Sequence, residues 1–272
     1  MKLAITGANG FVGSHIKKSF KDCITIGRND SEDEILSKLN GVDVVINLAG
    51  SPIVKRWTKE YKKTLIDSRI QSTKKLVNAI NRSDVKHLIS TSAIGAYPSD
   101  RAYDESFDGY SDDFLGSLTK EWEYEAKKCN KLTSIVRMGI ILGNNGGALV
   151  QMLPAFRMGV GGIISDGKMM VSWVDIDDVI RIYKFIFDKE LTGVFNATTP
   201  NPITNYMFTK ALGSVLSRPT VIPVPEFVLK LLFGEGSTVL TGSKEVYPKA
   251  LTEAGFEFKY KEIESSFRHL LI

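Results

Sequence analysis

Between Thr6 and Gly13 the sequence reads Thr-Gly-Ala-Asn-Gly-Phe-Val-Gly, with three glycines at intervals of three. Set between a short apolar run and a helical pattern, that spacing is suited to holding a pyrophosphate. Gly7 permits a sharp turn, Gly10 lets the backbone approach an anion, and Gly13 lets a helix pack closely on a strand. Ala8, Asn9, Phe11 and Val12 complete the loop, and the N–H groups that open the helix present the positive end of its dipole. A dinucleotide is the ligand this arrangement predicts. The next apolar run ends Ile26-Gly27-Arg28-Asn29, where a carboxylate would bind the adenosine ribose of NAD. Gly27 leaves room for a 2′-phosphate there, and Arg28 supplies a planar, permanently charged donor fork, so NADP(H) is the cofactor expected. Asp30 and Glu32 lie farther on and are read as opening the following helix or loop.

The elements that must position these residues alternate. Strands are expected at residues 2–6, 23–26, 42–47, 86–92 and 133–138, with helices at 11–20, 58–81 and 113–130. Such alternation implies right-handed crossovers and a parallel sheet covered on both faces, an α/β doubly wound core. After Gly139 the pattern loosens into a glycine-rich stretch, followed by a helix near 175–188 and a strand at 193–197. From Pro223 the composition shifts to a mainly helical tail, so the chain divides into a dinucleotide-binding domain, 1–222, and a cap, 223–272. Ligands of such sheets sit beyond the carboxyl ends of the strands. Met138 and the residues to Leu142 are therefore expected at the nicotinamide end. Residues 146–162 and the cap form the far wall, where Met152, Leu153, Phe156, Met158 and Trp173 are either an apolar lining or interface core. Asp175 or Asp177 is read as capping the helix that follows.

The glycine turn resembles that of the short-chain dehydrogenase/reductase superfamily, in its extended, epimerase-like branch. Asn47-Leu48-Ala49-Gly50 looks like that superfamily's second signature, which flanks the adenosine half of the cofactor. Arg56-Trp57, Asp67-Ser68-Arg69, Arg137-Met138-Gly139, Gly146-Gly147-Ala148-Leu149, Met152-Leu153-Pro154 and Ser172-Trp173 are similar to one atypical subfamily. Its members are epimerase-family proteins with a C-terminal domain of unknown function, and the resemblance covers essentially the whole chain. It implies a Rossmann-type doubly wound parallel sheet with a small helical cap. It also sets the long helix after Gly50 against the cofactor, with Thr64 or Arg69 at its phosphates or ribose.

Reductases of this superfamily use a Tyr-x-x-x-Lys pair on the helix after the fourth strand, and a Ser or Thr at that strand's end. Ser92 matches the hydroxyl position. The pair is missing: aligning Glu123 with the superfamily's later acid puts Leu115 and Thr119 at its positions, and a shift of one gives Gly116 and Lys120. Tyr97, in the loop beyond Ser92, is the leading replacement for the proton-transferring tyrosine, with Lys120 behind it. The subfamily also lacks the pair, and it usually carries His where this chain has Asp175. Two functions follow. One is an NADP(H)-dependent oxidoreductase or epimerase-like enzyme acting on an unidentified small molecule through Ser92 and Tyr97. The other is a non-catalytic NADPH-binding regulator or scaffold, in line with the subfamily's association with cell and plastid division.

Composition excludes several other classes. The net charge of +4, from 35 basic and 31 acidic residues, is too small and too diffuse for a nucleic-acid footprint. No apolar run reaches the ~18 residues of a membrane span, and the first residues lack the apolar core of a signal peptide. Two cysteines, Cys23 and Cys129, fit a reducing compartment, so a cytoplasmic location is expected. His15, His87 and His269 are scattered, without metal-ligand spacing.

Overall fold

The structure, a computed structural model, describes residues 2–20 and 22–272. Six strands build the central sheet: β1 (Leu3–Thr6), β2 (Cys23–Ile26), β3 (Val44–Asn47), β4 (His87–Ala93), β5 (Leu132–Met138) and β6 (Gly193–Ala197). All pairings in it are parallel, in the order β6-β5-β4-β3-β1-β2. Burial on both faces explains the apolar runs at residues 3–5 and 44–46 of β1 and β3, which are buried at every position. Leu3, Ile5, Val44 and Ile46 point to one face and join a large apolar cluster. Ala4 and Val45 point to the other and pack with Ile35, Leu76 and Ile80.

The chain leaves β1 for β2 on one side and returns to β3 on the other. This reversal opens a crevice beyond the carboxyl ends of β1 and β3. Helix α1 (Phe11–Ser19) follows β1, and α2 (Glu32–Lys38) follows β2. Helix α2 starts at a capping box, Ser31 with Glu34, and not at Asp30. The single helix expected over 58–81 is interrupted. Helix α3 (Lys59–Ile66) runs into a π turn at Asp67–Gln71 before α4 (Ser72–Asn81) resumes. Such turns change which residues face a neighbouring cleft. Helix α5 (Phe114–Lys127) links β4 to β5.

The glycine-rich stretch after Gly139 holds more order than its composition implies. It contains helix α6 (Gly147–Arg157) and two short paired strands, Ile140–Leu142 and Trp173–Asp175. Helix α7 (Ile176–Asp188) starts at Asp175, whose carboxylate accepts from the Asp177 N–H at 2.9 Å, as expected of a cap. Helix α8 (Asn205–Leu216) packs on the C-terminal helix Ile263–Leu271, with Phe208 edge-on to Phe267 at 5.1 Å. Leu251, Phe256, Phe258 and Phe267 belong to the same apolar cluster as Leu3 and Ile5, so the C-terminal residues share the core of the sheet. Helix α9 (Glu226–Phe233) instead lies over the loop after β3. There the Arg56 guanidinium donates to the Leu231 carbonyl at 3.0 Å and Lys62 pairs with Glu235 at 2.6 Å. Among the described residues no helix is long and apolar enough to cross a membrane.

Candidate functional site

A cleft of about 760 Å³ lies beyond the carboxyl ends of the strands, lined by the turns after β1 and β3 and by residues from α1, β4, β5, α5, α6, α8 and the strap that follows α9. Gly7, Gly10, Phe11, Val12 and Gly13 form its floor at the crevice. The three glycines are glycine for different reasons. Gly7 has φ +65°, and a Cβ there would lie 2.6 Å from the Leu48 carbonyl oxygen. A Cβ on Gly13 would lie 2.3 Å from the Gly7 oxygen. Both are required by the turn itself. Gly10 is extended, and a Cβ on it would meet only the Gly7 oxygen, at 3.2 Å. The rest of its surroundings is open cleft, which is the space a pyrophosphate needs. No side chain caps the α1 N-terminus, so the helix turns free N–H groups toward that space.

A buried polar web fixes the crevice walls. The Thr6 hydroxyl donates to Asn47 Oδ1 at 2.7 Å and accepts from the Leu48 and Ala49 N–H groups. Asn47 Nδ2 donates in turn to Thr73 and Ser90, and Trp122 Nε1 donates to Thr73 at 3.0 Å. One asparagine thereby joins β1, β3, β4, α4 and α5. Leu48, Ala49 and Gly50 line the cleft as expected, and Arg69 lies beside them. The π turn carries Arg69 inward. Its guanidinium donates to the Ser51 carbonyl at 3.0 Å and sits 5.3 Å from the Trp122 ring. Burial pushes its pKa down to about 10, as befits a cation whose fixed partners are backbone carbonyls. Thr64, the other candidate on this stretch, stays on the solvent side. It belongs to α3, ahead of the π turn, and its hydroxyl donates back to the Glu60 carbonyl.

Gly27 and Arg28 lie at the rim, because the register Thr6↔Ile26 sets Gly27 alongside Gly7. Arg28 is exposed. Asp30 does not begin the next helix. It folds back, accepting from the Gly27 N–H at 2.7 Å and pairing with Lys38 at 2.5 Å. Its hydrogen bond to Lys38 holds the carboxyl below its usual range. Lys75 reaches over from α4 to the Arg28 and Asp30 carbonyls. Two lysines, Lys38 and Lys75, therefore gather at Asp30, just past Arg28 at the end of β2. Lys38 and Lys75 were not visible in the sequence motif, because both arrive from other helices.

At the other end Met138 and Ser92 line the cleft. The Ser92 hydroxyl donates to Glu123 at 2.6 Å, and Glu123 forms a bidentate pair with Arg137 at 2.8 and 2.9 Å. Tyr110 donates to the same carboxylate at 2.8 Å. Burial alone would raise the Glu123 carboxyl, but the Arg137 guanidinium outweighs it and holds the group below its usual range. Leu115 and Thr119, the positions of the absent Tyr/Lys pair, both face the cleft, so the register is right and the chemistry is missing. Thr119 spends its proton on its own helix, at the Leu115 and Gly116 carbonyls.

Tyr97 does not overhang this end of the cleft. The loop after β4 tightens into a helical turn at Ile94–Ala96, which buries the Tyr97 ring completely against Tyr103 and Phe107. Its hydroxyl donates to Asn196 at 3.0 Å, and burial raises its pKa. Lys120 is exposed on the outer face of α5. Of the apolar residues considered for the far wall, Met152 lines the cleft, while Leu153, Phe156 and Trp173 belong to the core and Met158 is exposed. Lys244 lines the cleft and was not singled out in the sequence. Its ammonium donates to the Tyr97 carbonyl, and burial lowers its pKa.

A glycine turn at a sheet reversal, an uncapped helix end and an inward arginine define a dinucleotide-binding α/β protein. Comparisons with known proteins agree. Residues 3–130 match the NAD dependent epimerase/dehydratase family, and residues 224–270 match a domain of unknown function, DUF1731. The chain is 35% identical to an Arabidopsis thaliana chloroplastic homologue of epimerase family protein SDR39U1, over 100% of this chain and 87% of that one. It is 36% identical to an epimerase family protein of Staphylococcus aureus, over 98% of each. The chain belongs to this epimerase family. A crystal structure of human SDR39U1 with NADPH superposes with a TM-score of 0.92 at 27% identity, covering 99% of both chains. A nucleoside-diphosphate sugar epimerase of Corynebacterium glutamicum gives 0.78 at 27% identity, covering 100% of this chain and 58% of that one.

Proposed function

We propose that the protein binds NADP(H) in the cleft and works as an oxidoreductase or epimerase-like enzyme on a small molecule, without the superfamily's Tyr-x-x-x-Lys pair. The observation that carries this reading is Gly10, a glycine that the turn hardly needs and that the approach of a pyrophosphate does. NADP(H) is favoured over NAD(H) by the exposed Arg28 and by Lys38 and Lys75, which meet at Asp30 two residues on. Human SDR39U1, similar along its whole length, was crystallised with NADPH. When bound, the nicotinamide supplies or accepts a hydride; the protein's part is placement. Helix α1 and Arg69 hold the phosphates, and Met138 and Leu115 exclude water at the reacting end. Ser92 stands at the reacting end with its hydroxyl on Glu123, in place to meet a substrate oxygen.

A second reading, a non-catalytic NADPH-binding regulator, is favoured by one observation. The tyrosine nearest Ser92 along the chain is sealed in the core, and Leu115 and Thr119 cannot transfer a proton in place of the pair. Two measurements separate the readings: equilibrium binding of NADPH and NADH, and an NADPH-absorbance screen over carbonyl compounds. Turnover that falls in Ser92→Ala supports the enzyme. Tight NADPH binding with no turnover on any compound supports the regulator. Absence of NADPH binding removes both.

A further inference from the structure

The cleft is lined by two charged side chains, Arg69 and Lys244, and by no carboxylate among the described residues. Arg69 belongs to the crevice at β1 and β3. Lys244 stands elsewhere, on the strap after α9, with its ammonium on the Tyr97 carbonyl just past the end of β4. In the sheet β4 is two strands from β1, or roughly 10 Å at ordinary strand spacing. A phosphate seated on the α1 N-terminus is out of its reach. An ammonium carries three protons, and one is used on Tyr97. Among the described residues no acid forms an ion pair with it; Asp113 and Asp100 act on it only from farther away. A second donor shares this wall. Asn205 lines the cleft, and its Oδ1 accepts from the Ile164 N–H at 2.8 Å, so its amide nitrogen is left to face the cleft. The two residues flank a single segment, for the Asn205 N–H donates to the Met169 carbonyl at 2.8 Å and the Lys244 N–H to the Met170 carbonyl at 2.9 Å. Around them the wall is Met152, Ile164, Met169, Met170 and Phe208. A half-buried ammonium whose acids stand beyond ion-pair distance costs free energy that an incoming anion recovers.

We propose that Lys244 is the substrate-side anion site, with Asn205 a second polar group on the same wall, and that the substrate is a small carboxylate with an apolar body and a carbonyl or hydroxyl group that reaches Ser92. This rests on the reading of the cleft as a site for NADP(H) and a small molecule, and it adds the class of that molecule. The apolar wall holds the body, and the ammonium holds the carboxylate. A polyhydroxylated sugar finds few partners on such a wall.

The test separates cofactor from substrate. NADP+ is first titrated into the wild-type protein and into Lys244→Met and Lys244→Arg, with tryptophan fluorescence as readout. Calorimetry on the NADP+-loaded proteins then compares 2-oxo acids of four to ten carbons, among them 2-oxo-4-phenylbutyrate, with their ethyl esters; the oxidised cofactor prevents turnover. The expected result is NADP+ affinity within about twofold in all three proteins. At least one acid binds wild type tenfold or more tightly than its ester, a preference lost in Lys244→Met and kept in Lys244→Arg. If NADP+ binds normally but no acid is preferred over its ester, or if Lys244→Met keeps the preference, the anion site is wrong while the cofactor reading stands. If Lys244→Met loses NADP+ affinity tenfold, Lys244 serves the cofactor instead and the proposal is overturned. Failure of wild type to bind NADP+ overturns both.

Discussion

Replacing Gly10 with alanine asks whether that glycine serves the fold or a ligand. The backbone there has φ −75° and ψ 173°, a conformation open to any residue. The new methyl meets a single protein atom, the Gly7 oxygen at 3.2 Å, which must yield by a few tenths of an ångström. Loss of unfolded-chain entropy offsets this, so the apo stability of Gly10→Ala should lie within about 1 kcal/mol of wild type. The same methyl occupies the space through which a pyrophosphate reaches the α1 N–H groups. A tenfold loss of NADPH affinity, about 1.4 kcal/mol, is the smallest effect expected. Thermal unfolding with and without NADPH reads both quantities. At a concentration of about 100 times the wild-type Kd the ligand stabilises wild type by about 2.7 kcal/mol, and a tenfold weaker site retains about 1.4 kcal/mol. At about 2–4 °C per kcal/mol for a large domain, the NADPH-induced rise in Tm should fall to about half. Gly13→Ala is the contrast. Its methyl would lie 2.3 Å from the Gly7 oxygen and 2.9 Å from the Ala8 Cα, so the apo protein itself should lose about 1–3 kcal/mol or more. The reasoning is refuted if Gly10→Ala keeps the full ligand-induced shift, or if its apo Tm drops as far as that of Gly13→Ala.

Arg28→Ala should lower the preference for NADPH over NADH, since a charge-assisted hydrogen bond contributes about 1.5–3 kcal/mol; equal losses for both nucleotides would remove Arg28 from the 2′ site. Tyr97→Phe leaves Asn196 Oδ1 without its phenol and should destabilise the fold by about 1–3 kcal/mol in urea unfolding, with NADPH affinity unchanged. A binding defect without a stability defect would return Tyr97 to the site. Glu123→Gln strips a buried arginine of its partner and should destabilise by about 3–5 kcal/mol near neutrality. Because the folded Glu123 carboxyl is held below its usual value of 4.5, its contribution is complete above that value and lost as pH falls through the lower folded value. The gap between wild type and Glu123→Gln should therefore narrow on acidification; a gap that widens would contradict the ion pair as the cause.

What the sequence revealed was local. The glycine turn, the strand before it and the helix after it are one continuous stretch; Gly7, Gly10, Phe11, Val12 and Gly13 line the cleft, while Ala8 packs into the core and Asn9 is exposed outside the lining. Ser92 and Met138 were equally legible, since each is the end of a strand whose apolar run marks it. Tyr97 was misjudged because its position depends on a helical turn at Ile94–Ala96 and on Tyr103 and Phe107 beyond it, which form an aromatic cluster that periodicity does not reveal. Thr64 and Arg69 were indistinguishable on one uninterrupted helix; the π turn between them decides which faces the cleft. Asp30, Lys38 and Lys75 meet from β2, α2 and α4, and Lys244 reaches a carbonyl 147 residues away. No short-range pattern carries such contacts.

The absence of the Tyr/Lys pair thus has a structural counterpart. Leu115 and Thr119 keep the pair's place on α5, and the polar groups nearby are already committed, Ser92 and Tyr110 to Glu123 and Glu123 to Arg137. That closed network positions β4 and β5 but has no spare acid. Lys244, which also lines the cleft at this end, is not part of the sheet. It stands on the segment that α9 and residues 234–242 bring across from the loop at 52–62. The glycine turn and Arg69 are thus held by the sheet and its helices, while Lys244 is placed only by the strap. Substitutions that loosen the strap at Arg56 should spare nucleotide binding and weaken whatever binds beside Ser92.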